Sequence, residues 1–194
     1  MIRSGDTLQN PVTGETVHVV RSASETEGEY VLVEVRVEPD GFVAAAHIHP
    51  YQTEVFEILE GEVGFKAGGK TIIAGPGEKV VVEPGTAHRF WNNGETPARF
   101  RTEVRPALQF EQLLATMYTL AADGKTNRKG MPNPLRLAVI AKHHFDDVRL
   151  PKIPVWMQRA GLALGAPVGR MLGYGPVYES AAPGEVAVAV AVAI

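Results

Sequence analysis

Two short stretches of this chain set three histidines, one glutamate and a series of glycines at intervals that leave few folds open. Gly41 is followed by His47, His49, Glu54 and Gly61. Fifteen residues later a second segment opens at Gly77 and runs through Pro84, Gly85, His88 and Asn92. On a β-strand, residues i and i+2 share a face, so His47 and His49 are expected to project into one interior. Glu54 opens the next strand after a turn containing Pro50 and can return to meet them. His88 follows the turn Pro84-Gly85-Thr86-Ala87, which starts another strand nearby. Three imidazoles and one carboxylate spaced in this way suit a divalent metal inside a small β-barrel. The mixed nitrogen and oxygen set selects one transition metal (Fe, Mn, Ni, Cu, Co or Zn) over Mg or Ca, which prefer all-oxygen shells. Four protein ligands on an octahedral ion leave positions open for water, oxygen or a chelating substrate, which is a catalytic rather than a closed structural arrangement.

The surrounding residues read as strands to about residue 105. The run 30–37 is rich in β-branched residues and ends at Pro39-Asp40-Gly41, a turn signal. Strands are expected near 54–59, 62–65, 70–73, 79–82, 87–91 and 98–104, with a hairpin turn at Gly68-Gly69. Many short strands divided by turn residues, with no helical period among them, predict a sandwich or barrel.

These residues carry a resemblance. Gly41, His47, His49, Glu54 and Gly61 resemble the first conserved motif of the cupin superfamily, and Gly77, Gly85, His88 and Asn92 resemble the second. One position departs from the pattern: Glu83 stands where the second motif usually has proline, with Pro84 beside it. The resemblance implies a mainly β fold, a cupin-type double-stranded β-helix (jelly-roll barrel) over 1–105, with a C-terminal α-helical extension beyond it. It also implies that His47, His49, Glu54 and His88 bind the metal. Asn92 reads as a turn or strand-end residue, not a ligand.

After Pro106 the period changes. Phe110, Leu113, Leu114, Met117, Tyr118 and Ala121 fall at helical spacing, with Gly124 placed to cap the C-terminus. Asn133-Pro134 reads as an N-cap and first turn of a second helix reaching about Phe145. A third is expected from Val155 to Leu164, kinked or ended by Pro167. The segment 106–194 is thus a helical extension ending in a Val/Ala-rich strand or tail. The uncharged alternation from Val186 to Ile194 predicts an apolar strand covered by its own domain or by a second subunit, and with Leu162, Leu164 and Val168 it points to a homodimer.

Around the expected ion, Phe56, Ile58 and Phe90 share strand parity with Glu54 and His88 and are expected to line a substrate cavity. Arg89 should face outward. Tyr51 and Gln52 fall in the turn before Glu54 and read as surface-turn residues. His143 and His144, adjacent on a helix, point about 100° apart and do not converge on a second metal; a helix C-terminus favours histidine through its dipole.

Composition bounds the rest. The formal charge of −3 over 194 residues argues against nucleic acid as a partner. The absence of cysteine excludes disulfides and thiolate sites and fits a cytoplasmic protein. No apolar run reaches the ~20 residues of a membrane span. The expected partner is a small-molecule ligand or substrate. Relatives of the motif include oxygenases, isomerases and lyases. The apolar wall favours a small apolar or aromatic, oxygen-chelating substrate, and the expected activity on it is that of a metal-dependent dioxygenase-type oxidoreductase. The alternatives are a non-catalytic small-molecule binding or sensing barrel and a metal-dependent isomerase or lyase.

Overall fold

A computed structural model describes residues 2–180. Nine strands come first: β1 (Thr7–Asn10), β2 (Glu15–Arg21), β3 (Val31–Val37), β4 (Thr53–Glu60), β5 (Val63–Ala67), β6 (Lys70–Ala74), β7 (Lys79–Val82), β8 (His88–Asn92) and β9 (Ala98–Arg105). Three helices follow: α1 (Phe110–Ala122), α2 (Pro134–His143) and α3 (Val155–Met171). The strands form an antiparallel six-stranded sheet in the order β1-β2-β3-β9-β4-β7 and a three-stranded sheet in the order β6-β5-β8. The two sheets face each other across one core, which is the mainly β cupin architecture.

Period-two patterning sets which face is buried. In β3, Val31, Val33, Val35 and Val37 are buried while Leu32, Glu34 and Arg36 are not. Between the sheets, Phe56, Phe65, Phe90 and Phe100 form a connected ring cluster, with centroids 5.0–6.4 Å apart and mostly edge-to-face or tilted. Such pairs add about 0.5–1.5 kcal/mol each beyond their burial. The β5–β6 turn takes Gly68 and Gly69 at φ +56° and +85°, the left-handed pair a tight hairpin requires.

The helices follow the signals that announce them. Asn133 Oδ1 accepts the Arg136 N–H at 2.9 Å, with Pro134 in the first turn. At the end of α1, Gly124 has φ +66°, and Lys125 and Gly124 donate to the Leu120 and Ala121 carbonyls, the paired bonds of a left-handed helix stop. One expectation fails. α3 does not end near Leu164 but runs on to Met171 with Pro167 inside it. Pro167 is exposed, so the carbonyl it frees meets solvent. The helix is held instead by close packing on α2. A Cβ built at Gly169 would stand 2.5 Å from the Leu135 carbonyl oxygen. β1 and β2 lie outside the expected strands; Thr7-Leu8-Gln9-Asn10 carries little β signal. The Val/Ala run at 186–194 lies outside the described residues. Among those described, no helix is long and apolar enough to cross a membrane.

Candidate metal centre

His47 and His49 do not lie on a regular strand. They belong to a loop pinned to β8 at two points, Phe42 opposite Trp91 and His47 opposite His88. Five steps on the loop side are set against three on β8, so surplus chain at Ala44-Ala45-Ala46 bulges away. The bulge turns the Ala45 carbonyl back on the His47 ring, where Nδ1–H donates to it at 2.8 Å. Past His47, Ile48 leaves β8 and exchanges two 2.9 Å backbone bonds with Arg149 of the helical extension. The His49 carbonyl accepts the Gly85 N–H at 2.8 Å, which ties the loop to the turn before His88.

All three imidazoles are oriented by one device. His88 Nδ1–H donates to the Thr86 carbonyl at 3.0 Å. His49 Nδ1–H donates to the Asp147 carbonyl at 2.5 Å and has Gln52 Oε1 at 3.0 Å. A carbonyl can only accept, so Nδ1 carries the proton in each ring and Nε2 presents a lone pair. The chain also aims Glu54 at the same point from the start of β4. His88 Nε2 lies 2.7 Å from Glu54 Oε2, and His49 Nε2 lies 3.7 Å from Glu54 Oε1. The 2.7 Å approach lacks hydrogen-bond directions: His49 Nε2, His88 Nε2 and Glu54 Oε2 are buried and none has a hydrogen-bond partner.

Potential ligand atoms of His47, His49, Glu54 and His88 lie within 4.8 Å of one another. Atoms bound to one ion at ~2.1 Å stand roughly 3–4 Å apart, so the cluster is close to coordination size. Orphaned buried polar atoms cost about 1–3 kcal/mol each, and a shared cation removes that cost at every one. The donor set therefore fits a divalent transition metal.

Electrostatics agree with that fit. Burial pushes the His47 imidazole down to about 3, helped by the charges of His88 and His49. Burial works against the Glu54 charge, but His49 and His88 outweigh it and hold the carboxyl at about 2. Burial also opposes the charge on His88, yet the adjacent Glu54 raises its pKa above the ordinary value. At neutral pH this leaves a neutral His47 and an ionised Glu54, the forms that bind metal.

The cluster lines a cavity of about 510 Å³ whose walls are otherwise almost wholly apolar. One wall is the barrel, with Val33, Val35, Phe56, Phe90 and Phe100. The other is the helical extension, with Phe110, Leu114, Met117, Leu137, Ile140 and Met157. The Phe110 ring sits 6.0 Å from the His49 ring. Of the three expected wall residues, Phe56 and Phe90 line this cavity and Ile58 does not. Ile58 has the right parity but lies further along β4, packed into the core at 1 % exposure. Arg89 faces outward, over the Trp91 ring.

Gln52 corrects the surface-turn expectation. It is fully buried, donating from Nε2 to the Pro106 and Ala107 carbonyls at 3.0 and 3.1 Å while its oxygen faces His49. Tyr51 is exposed as expected. Asn92 braces the strand end, donating to the Val37 and Thr96 carbonyls. His143 and His144 diverge: His143 Nε2 is 3.1 Å from Gln112 Oε1, whereas His144 is buried with Nδ1 3.0 Å from Asp147 Oδ2. Asp147 Oδ1 accepts the Gln109 N–H at 2.8 Å, so this carboxylate fixes the backbone whose carbonyl orients His49. No sequence signal could have found that contact, because it uses a main-chain atom.

Comparison with known proteins agrees with this construction. Residues 33–104 match the family model described as the Cupin domain. A quercetin 2,3-dioxygenase of Bacillus subtilis (strain 168) is 32 % identical over 87 residues, which is 44 % of this chain and 25 % of that relative, so the chain spans only a quarter of its length. Among solved structures, a predicted oxalate decarboxylase from Thermotoga maritima aligns with a TM-score of 0.48 at 21 % identity, over 55 % of this chain and 98 % of that one. The cupin domain of Schizosaccharomyces pombe Cnp3 aligns with a TM-score of 0.46 at 12 % identity, over 55 % and 72 %. What these matches share with the chain is the barrel that carries the two motifs: residues 33–104 match the Cupin domain.

Proposed function

We propose that this cupin binds one divalent transition metal through His47, His49, Glu54 and His88 and acts as a dioxygenase-type oxidoreductase on a small, largely apolar ligand that chelates the metal through oxygen. The observation that carries this reading is the setting of the cluster: three lone-pair nitrogens and a carboxylate converge in the lining of an apolar cavity. When bound, a redox-active ion there supplies Lewis-acid and electron-transfer chemistry. The residues of the chain do the rest. The Nδ1 bonds to the Ala45, Asp147 and Thr86 carbonyls hold the imidazoles in one tautomer and orientation. Phe56, Phe90 and Phe110 exclude water and select a flat apolar body. The 32 % match to a quercetin 2,3-dioxygenase supports the same class.

An isomerase or lyase would need a proton-shuttling group beside the ligands. Apart from Glu54, Glu15 is the one carboxylate among the described residues that line the cavity, and it stands on β2, with two strands between it and Glu54 in the sheet. The test is anaerobic loading with ferrous iron followed by 3-hydroxyflavone and oxygen. Oxygen uptake with loss of the flavonol absorbance is expected. A spectral shift on binding without uptake would reassign the protein as a small-molecule binding module.

A further inference from the structure

The cavity has a second polar pole that metal binding does not use. Glu15, at the start of β2, lines it and is only 5 % exposed. Thr13 Oγ1 donates to Glu15 Oε2 at 2.6 Å, and the Tyr118 hydroxyl of α1 adds a weaker contact. Desolvation favours the protonated carboxyl, so it can donate a hydrogen bond as well as accept one. An acid in an apolar chamber costs stability unless something uses it.

Its place relative to the cluster is set by two rulers. Along β9, Val104 pairs with Glu54, Thr102 with Phe56, and Ala98 with Val37, which in turn pairs with Glu15. Along α1, Phe110 packs on His49 and Tyr118 on Glu15, eight residues and therefore ~12 Å further on. Between the two poles, Thr102 faces the cavity at 3 % exposure and its hydroxyl has no hydrogen-bond partner. A polar atom buried in this way is an independent sign that the chamber is shaped around a ligand with more than one polar group.

We infer that Glu15 is the distal anchor of the cavity, binding a hydroxyl at the far end of an elongated, flat, apolar ligand whose near end chelates at the histidine cluster. The inference rests on the ligand-binding reading above and specifies which ligands it favours. A cavity of about 510 Å³ is of the size that holds a ligand of two or three rings. The poles are offset by eight residues along α1, ~12 Å of helix rise, and by six along β9, so a ligand that meets both must be elongated with oxygens at both ends. Apolar molecules lacking the distal hydroxyl would leave the Glu15 carboxyl without its partner.

The experiment compares two probes on zinc-loaded, full-length protein by fluorescence titration: 3-hydroxyflavone, and 3,4′-dihydroxyflavone, which differs by one hydroxyl remote from the chelating oxygens. The wild type should prefer the dihydroxy compound about tenfold. In Glu15→Leu the preference should fall to within about twofold, and Glu15→Gln, which keeps an accepting oxygen, should retain most of it. A thermal melt without ligand checks that each variant folds. Equal binding of the two probes to the wild type, or a preference that survives Glu15→Leu, overturns the distal anchor alone. Binding of neither probe overturns the ligand-binding reading together with it.

Discussion

His49 Nδ1 donates to the carbonyl of Asp147 at 2.5 Å, a bond that spans 98 residues and joins the barrel to the helical extension. The extension is therefore part of the site: it orients one imidazole of the cluster and forms the second wall of the cavity. Gln52 supports the same ring from within the barrel. Gln52→Ala should weaken zinc binding about tenfold, measured by competition with a chromophoric chelator, because outer contacts of ligating histidines typically contribute 10- to 100-fold. Unchanged affinity would show that the Asp147 carbonyl alone suffices.

Glu15 gives a pH signature. Burial raises its carboxyl from 4.5 to about 7, while Tyr118 beside it is pushed well above the ordinary phenol range and stays protonated. The unfolded chain ionises this carboxyl at the lower pH, so between pH 4.5 and 7 the folded state holds a proton that the unfolded state has lost. Stability must then fall as pH rises through that window, by on the order of 3 kcal/mol at full extent. Glu15→Gln removes the effect. Urea midpoints of the two proteins should diverge from pH 5 to pH 7.5, with the variant gaining; parallel curves would contradict this burial.

The phenylalanine cluster sets barrel stability. Phe65 is fully buried against Phe56 and Phe90 and does not line the cavity. Phe65→Ala should cost about 3–5 kcal/mol in urea unfolding. A cost below 1.5 kcal/mol would mean that the core collapses around the deletion.

The homodimer expected from the apolar C-terminal half has its support on α3. Leu164, Val168 and Met171 follow at steps of four and three, one stripe of the helix, and Leu164, Met171 and, a helical turn or more before them, Trp156 are 77 %, 87 % and 71 % exposed. We propose that this stripe pairs with a second copy. Light scattering at micromolar concentration should give twice the mass of the 20.9 kDa chain. Leu164→Glu should return it to the monomer mass. A wild-type monomer would contradict the pairing.

The strand pattern, the turn glycines and the four clustered side chains were legible in the sequence because each is a local signal: parity along β4 and β8, a left-handed turn at Gly68-Gly69, a cap at Asn133. What stayed hidden was non-local. The two-residue bulge before His47 depends on register against β8. Asp147 acts through a backbone carbonyl that any residue would supply. Gln52 reads as a turn residue and Glu15 carries no local signal at all; the Pro106 and Ala107 carbonyls over the first and Tyr118 of α1 beside the second lie far off in sequence. Pro167 misled for the opposite reason: a strong local break signal yields to the α2–α3 contact at Gly169.

Metal content is the most direct test of the central claim. Tag-free protein is reloaded with zinc or ferrous iron, desalted and measured by elemental mass spectrometry beside His49→Ala and Glu54→Gln. The site described here predicts about one ion per chain in the wild type and close to none in His49→Ala, with Glu54→Gln weakened. Full stoichiometry in His49→Ala, or a wild type that retains no ion, would contradict it.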